Sequence, residues 1–217
     1  MLFSWYICGV KSLNAKNMDE QRLNANFLMF LQKMEKYDCY SQEMVDDIGD
    51  KIKIAPYSLN ADGGGAYDGA LVEIVLNRLC RMGYDLNEKA FGGEKARHPK
   101  LQANLRMLMR VLLIQHIAKA EMFIPQTDEW KRKKGWLYDF DESLKSNLKL
   151  GERSLYLAQK YGIRLTDEEY EAVRIIDREW DEKHIIMSSP LSAITRIANV
   201  LTTIELKQEH KLWQKQR

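Results

Sequence analysis

The sequence LQANLRMLMRVLLIQHIAKA, residues 101–120, carries the strongest helical pattern of the chain. Leucines recur along it at steps of four and three residues, which is the spacing of side chains on one face of an α-helix. The series consists of Leu101, Leu105, Leu108 and Leu112, and it ends with the amide side chain of Gln115. We therefore predict a helix over about residues 100–120, with Gln115 buried or facing a cavity and His116 beside it among aliphatic side chains.

Most of the remaining sequence also shows helical periodicity. Helices are predicted over about residues 18–36, 42–48, 70–82 and 151–161, and two more are predicted to begin after Thr166 and after Ser189. Thr166 and Glu169 have the spacing of a capping box, and Pro190 suits the first position of a helix. The glycine-rich segment 54–70 is expected to be a flexible loop, and residues 123–142 an irregular connection. No strong strand pattern is present, so the predicted fold class is all-α.

Composition and charge limit the classes of partner. The chain has 217 residues, with 33 Lys and Arg against 31 Asp and Glu, and a formal charge of +2. A chain so close to neutrality lacks the general attraction to nucleic acid or to an anionic membrane that basic proteins show. No apolar run approaches the roughly 20 residues of a membrane span, and the first ten residues lack the features of a signal peptide. Three widely spaced cysteines fit a reducing compartment, so a cytoplasmic protein is expected.

Two segments carry aromatic residues suited to binding a partner. The basic run WKRKKGW, residues 130–136, mixes cationic side chains with two tryptophans. Nucleic-acid binding by stacking is one interpretation, but on a neutral chain a protein contact anchored by the tryptophans is the better one. The apolar start MLFSWYICGV is interpreted as packing on its own domain or as an arm that docks on a neighbour. The predicted partner-binding residues are Phe3, Trp5, Tyr6, Trp130, Lys131, Arg132 and Trp136.

Four stretches in this order resemble the HD-domain metal-dependent phosphohydrolases. They are YDGALVEIVLNRL (67–79), VLLIQHIAKAEMF (111–123), LKLGERSLYLAQKYGIRLTDEEYEAVRIID (148–177) and LSAITRIANVLTT (191–203). The third stretch is the most specific, because its G-E-x-S pattern, its LTDEE helix start and the following AVR recur in the same order. The resemblance implies one HD-like helical domain over residues 41–217, preceded by an arm and first helix over residues 1–40.

The resemblance also locates the positions at which such enzymes hold their metal ions. In that family, His and Asp side chains bind one or two divalent cations, which polarise a phosphoryl oxygen and lower the pKa of a bound water. The matching positions here are Ile74, Leu150 and Ile176 for three histidines, Gln115 and His116 for the His-Asp pair, and Asn199 for the distal Asp. Glu152 matches the carboxylate of the G-E-x-S pattern, although a carboxylate at a helix start is also a favourable partner of the helix dipole.

The resemblance therefore predicts a catalytically inactive protein, because most of the metal ligands are replaced. No metal and no other cofactor is expected. The predicted function is that of a structural or interaction component of a multi-subunit assembly, either a homo-oligomer or part of a bacteriophage particle, and in that case the location is the virion. Two alternatives stay open: a regulator that binds a nucleotide or another small ligand through Gln115, His116 and Asn199, and a residual metal-dependent phosphohydrolase.

Overall fold

The computed structural model describes residues 18–92, 99–144, 147–177 and 189–215. Within these ranges the chain is predominantly α-helical, as predicted, with one antiparallel sheet of two short strands. The helices are α1 (Glu20–Lys36), α2 (Gln42–Ile54), α3 (Ala70–Ile74), α4 (Cys80–Tyr84), α5 (Leu105–Ile114), α6 (Lys119–Met122), α7 (Glu129–Lys133), α8 (Leu150–Lys160), α9 (Asp167–Arg174) and α10 (Pro190–Lys215). The strands are β1 (Phe123–Pro125) and β2 (Tyr138–Phe140). The predicted partner-binding residues Phe3, Trp5 and Tyr6 lie outside the described residues.

The predicted helix starts at Thr166 and Ser189 are confirmed. Thr166 Oγ1 accepts a hydrogen bond from the Glu169 amide at 3.3 Å, and the Thr166 amide donates to Glu169 Oε2 at 2.8 Å. Ser189 Oγ accepts from the Ser192 amide at 3.2 Å. These bonds satisfy amide groups that have no partner inside the first turn of a helix.

The helix predicted over residues 70–82 continues further than the sequence pattern indicated. Two wide π-helical segments, Val75–Leu79 and Asp85–Ala90, follow α3 and α4 and carry the helical path to Ala90. The buried Asn87 explains the extension, because its amide group pairs with the main chain of Ala103 over 2.8 and 3.1 Å. This contact, which lies outside the local sequence, stabilises a stretch that has little apolar periodicity of its own.

The helix predicted over residues 100–120 is shorter than expected at both ends. It begins after Asn104, whose Oδ1 accepts from the Arg106 amide at 3.0 Å, so Leu101 precedes the helix and is 42% exposed. It ends at Ile114, and residues 115–118 continue in tight turns with bonds such as Ile117 N–H to Ile114 O at 3.1 Å. The placement of Leu101 on the buried stripe was wrong, whereas Gln115 is fully buried.

The segment predicted to be an irregular connection contains a β-hairpin-like unit over residues 123–140, which we call the excursion. Strands β1 and β2 pair in antiparallel register, with Phe123 opposite Phe140 and their ring centroids 5.4 Å apart, and α7 lies between them. Each strand has only three residues, so there is too little alternation for the sequence to show a strand period. The excursion is joined to the preceding loop by hydrogen bonds from the Leu137 and Tyr138 amides to Leu59 O, both 3.0 Å long.

The core lies around α5. Residues from α1 and α2 belong to it together with residues from the later helices, so the first helix packs in the same core as the rest of the described chain. The largest fully buried side chains are those of Phe30, Met34, Met44, Ile48, Ile52, Ile74, Leu79, Leu108, Leu112, Leu113, Ile114 and Ile117. Cys39 and Cys80 are buried free thiols. Among the described helices, none combines the length and the apolar character needed to cross a bilayer.

Candidate functional site

A pocket of about 330 Å³ lies between the loop after α2, the turns after α5 and the middle of α10. Its lining comes from sequence-distant segments, which is typical of a site formed by tertiary packing. The lining residues are Tyr57, Ser58, Gly63, His116, Lys119, Leu150, Ile176, Asn199, Thr203, Leu206 and Lys207. Among these described lining residues two are lysines and none is an aspartate or glutamate.

The glycine-rich loop forms one wall of the pocket by close packing. The amides of Tyr57 and Ser58 both donate to Gly65 O, at 2.8 and 3.1 Å, which closes the loop. Gly64 has φ of 72°, and a Cβ there would lie 2.7 Å from the main-chain oxygen of Leu206 on α10. The loop was predicted to be flexible, but its glycines are instead needed for a left-handed turn and a close approach to a helix.

Asn199 is the centre of the polar network at the base of the pocket. Its Nδ2 donates to Gln115 Oε1 and to the main-chain oxygen of Thr195, both at 2.9 Å. The main-chain oxygen can only accept, so this end of the amide is the NH2 group and Oδ1 faces His116 Nε2 at 2.8 Å. Asn199 thus pairs with both Gln115 and His116.

The Asn199 amide fixes the tautomer of His116. Because Oδ1 of Asn199 accepts, His116 Nε2 must carry the proton, and the Tyr57 hydroxyl oxygen at 3.3 Å can only accept from the same N–H. The two rings meet edge to face, with centroids 5.1 Å apart. Within the described part of the chain, Nδ1 of His116 and Nε2 of Gln115 have no hydrogen-bond partner.

Burial and a neighbouring cation keep His116 neutral. Desolvation lowers the pKa of its imidazole well below the ordinary value, the charge of Lys119 lowers it further, and the bond to Asn199 opposes both effects. Lys119 is itself buried: Nζ donates to Tyr57 O at 2.6 Å and lies 3.5 Å from the centroid of the Tyr57 ring. A neutral imidazole beside a buried ammonium group makes this end of the pocket electropositive.

Ser154 of α8 stabilises residues 115–118, the turns next to the pocket that interrupt the helical path between α5 and α6. Its Oγ donates to Gln115 O at 2.9 Å and accepts from the Ala118 amide at 3.3 Å, so the hydroxyl takes the place of a main-chain bond in the turn. This serine belongs to the G-E-x-S pattern. The contact anchors the start of α8 against residues 115–118, and Leu150, the first residue of α8, lines the pocket.

The structure places five of the seven predicted pocket residues at one site. His116, Leu150, Ile176 and Asn199 line the pocket, and Gln115 lies below it through its bond to Asn199. The remaining two are not among the lining residues. Ile74 Cδ1 and Tyr57 Cβ would each lie 2.8 Å from a Cβ at Gly65, so Ile74 packs behind the Tyr57 loop. Glu152 accepts from the Lys149 amide at 3.2 Å and so serves the start of α8.

Two important pocket residues, Tyr57 and Lys119, were missed by the sequence reasoning. Lys119 was detectable, because it continues the four-and-three series that ends at Gln115 by one further step of four. Tyr57 gave no usable signal, since it lies in a loop next to Pro56, where periodicity does not report the direction of a side chain.

The predicted partner-binding residues that fall within the described part of the chain all lie on the excursion between β1 and β2. Trp130 and Trp136 are 65% and 45% exposed. Lys131 is bound to Asp139 at 2.9 Å, and Arg132 is exposed. Ile124 and Phe140 are further exposed apolar side chains, and the register of the strands places them on opposite faces of the sheet.

The described residues contain no group of three or more His, Cys, Asp and Glu side chains arranged to hold a metal ion. Comparisons with protein-family models, with curated proteins and with solved structures found no match to this chain.

Proposed function

We propose that this chain is a non-catalytic relative of the HD-domain phosphohydrolases that acts through protein–protein contacts, as a component of a larger assembly. The single observation behind this proposal is the convergence of Gln115, His116 and Asn199 into one hydrogen-bonded network beside Leu150 and Ile176. These are positions at which the resemblance places metal ligands, and they meet although they are far apart in the sequence.

The chemistry of these side chains supports the loss of catalysis. Leu150 and Ile176 have no lone pair, and Asn199 uses its amide hydrogens on Gln115 and Thr195 and its oxygen on His116. A catalytic zinc site takes three protein ligands, usually His, carboxylate or thiolate. Here the described lining offers one imidazole, whose Nε2 is already a donor, so the residues present do not fit the cation of a phosphohydrolase.

The surface of the excursion supports a binding role. Trp130 and Trp136 are exposed on a segment that β1, β2 and the bonds to Leu59 hold in place. Tryptophan is enriched among the residues that dominate interface energies, because a large rigid ring is buried at a low entropy cost. We name the surface formed by the exposed Trp130 and Trp136 the tryptophan face.

The catalytic part is tested with phosphomonoesters and nucleotides in the presence of Mg²⁺, Mn²⁺ or Zn²⁺. We expect no turnover above the rate without protein. Turnover that disappears in the His116→Ala variant, together with a stoichiometric metal in elemental analysis, would overturn this part of the proposal.

The assembly part is tested by mass photometry of the chain alone and of the material isolated from its native source. We expect a defined complex that is lost in the Trp130→Ser/Trp136→Ser double variant. The matched control is Tyr156→Ser/Tyr170→Ser, which removes two similarly exposed aromatic rings from α8 and α9 and should leave the complex intact. A monomer without associates from both sources contradicts the assembly role.

A further inference from the structure

We propose that the pocket binds a small organic oxyanion, whose charged end is held by the Tyr57 hydroxyl and Lys207 in the field of Lys119. This binding is separate from the tryptophan face and does not depend on the assembly role. The proposed contacts also differ from those expected from the sequence, which were Gln115, His116 and Asn199. The polar groups of Gln115 and Asn199 bond mainly within the network described above.

The Tyr57 hydroxyl supplies a buried donor without an acceptor. Tyr57 lines the pocket and is only 7% exposed. Since His116 Nε2 carries a proton for Asn199, it cannot accept the Tyr57 hydrogen, and no other acceptor for it lies within the described residues. Burial raises the pKa of this hydroxyl far above its ordinary value, so it stays a neutral O–H group. A buried donor left without a partner costs free energy that a ligand acceptor recovers.

Lys207 supplies the charge that a ligand can reach. It lies on α10 at the exposed edge of the pocket, and within the described part of the chain it forms no ion pair. Lys119 is already bound to Tyr57 O, so its contribution is the field of its ammonium group in a site of low dielectric. Asp62, the chain neighbour of the lining residue Gly63, is not a lining residue itself. Its carboxylate lies 3.4 Å from His210 Nε2.

The walls and size of the pocket define the rest of the ligand. Leu150, Ile176 and Leu206 provide apolar lining. A volume of about 330 Å³ is at the lower end of the range of small-molecule sites, about 300–1,000 Å³. The ligand class is therefore a compact anion with a short apolar body, and its oxyanion is either a carboxylate or a phosphate monoester.

The test is NMR titration of the full chain, labelled at the methyl groups of leucine and isoleucine. The probes are hexanoate, n-butyl phosphate and inorganic phosphate, with 1-hexanol as the uncharged control. We expect saturable shifts of the Leu150 and Ile176 methyl signals with at least one organic anion and weaker or no shifts with 1-hexanol. A response to hexanoate identifies a carboxylate site, whereas a response to n-butyl phosphate alone identifies a phosphate site.

Two variants locate the contacts. Lys207→Gln is expected to weaken binding about tenfold, which corresponds to the loss of one charge-assisted hydrogen bond, and Tyr57→Phe to weaken it several-fold. The matched control is Lys211→Gln, one turn further along α10 and also exposed, which should bind as the unmodified chain does. The proposal is overturned if neither organic anion gives a saturable shift, if 1-hexanol binds equally well, or if Lys207→Gln has no effect.

Discussion

Asn199 donates through Nδ2 to Oε1 of Gln115 over 2.9 Å, although 84 positions separate the two residues in the sequence. The oxygen of the same Asn199 amide receives the N–H of His116 at 2.8 Å. The Asn199 amide is therefore fully paired, whereas Nε2 of Gln115 and Nδ1 of His116 have no hydrogen-bond partner within the described residues.

The bond between Gln115 and Asn199 is expected to appear as a coupling energy. Gln115→Leu and Asn199→Leu should each lower the free energy of unfolding by about 1–3 kcal/mol, because each leaves a polar group of its partner unsatisfied. The double variant should lose less than the sum of the two, by at least about 0.5 kcal/mol. Urea unfolding of the four proteins measures this. Gln115→Leu combined with Asn87→Leu, which removes a buried amide bound elsewhere, serves as the additive control.

His116 should make the protein less stable in mild acid. In the folded state, burial and the charge of Lys119 lower its pKa, and the bond to Asn199 opposes this shift. Below about pH 6.5 the unfolded chain therefore takes up a proton that the folded chain does not. Stability is therefore full above the unfolded pKa and falls as the pH drops below it, by up to about 1.4 kcal/mol per pH unit.

This slope is measured by urea unfolding between pH 7.5 and about pH 5, the range over which an unfolded histidine titrates. His116→Gln should flatten the pH dependence by one proton. An equal slope in the unmodified chain and in His116→Gln would show that His116 takes up its proton normally in the folded state.

Local signals predicted the parts of the fold that local interactions determine. The Thr166 and Ser189 caps act within a single turn, so their residue types are sufficient to locate a helix start. The extension of the helix to Ala90 was not predictable in this way, because it depends on the bond between Asn87 and Ala103. The short strands β1 and β2 were missed for a similar reason, since they are stabilised by pairing with each other and by the loop at Leu59.

The residues of the candidate site were largely predictable from the sequence, whereas most of its hydrogen bonds were not. The resemblance selected Leu150, Ile176 and Asn199, which share one pocket. It did not indicate that Lys119 binds the main chain of Tyr57, because a contact between a helix end and a distant loop leaves no periodic trace. The role of the pocket therefore depends on groups that only the three-dimensional structure brings together.

Gly64 should be the more sensitive of two glycines in left-handed conformations. Gly64 and Gly162 have φ of 72° and 70°, but a Cβ at Gly64 would meet Leu206 O at 2.7 Å, whereas none of the surrounding atoms lies within 4 Å at Gly162. Gly162→Ala should cost about 1 kcal/mol from backbone strain alone. Gly64→Ala should cost at least about 1 kcal/mol more, because the rigid main chain of α10 must move. Thermal or urea unfolding compares the two; equal losses would show that the loop does not pack against α10.

Ser154→Ala should destabilise the chain at the pocket wall. The hydroxyl joins Gln115 O and Ala118 N, so its removal leaves a buried carbonyl and a buried amide without their partner, at a cost of about 1–3 kcal/mol. Faster hydrogen exchange at the Ala118 amide is expected at the same time, because that amide loses its acceptor. Ser143→Ala, at an exposed serine before α8, is the matched control and should change neither quantity. If Ser154→Ala is as stable as the control and the Ala118 amide stays protected, the turn at residues 115–118 is held by its main-chain bonds, and α8 does not anchor it.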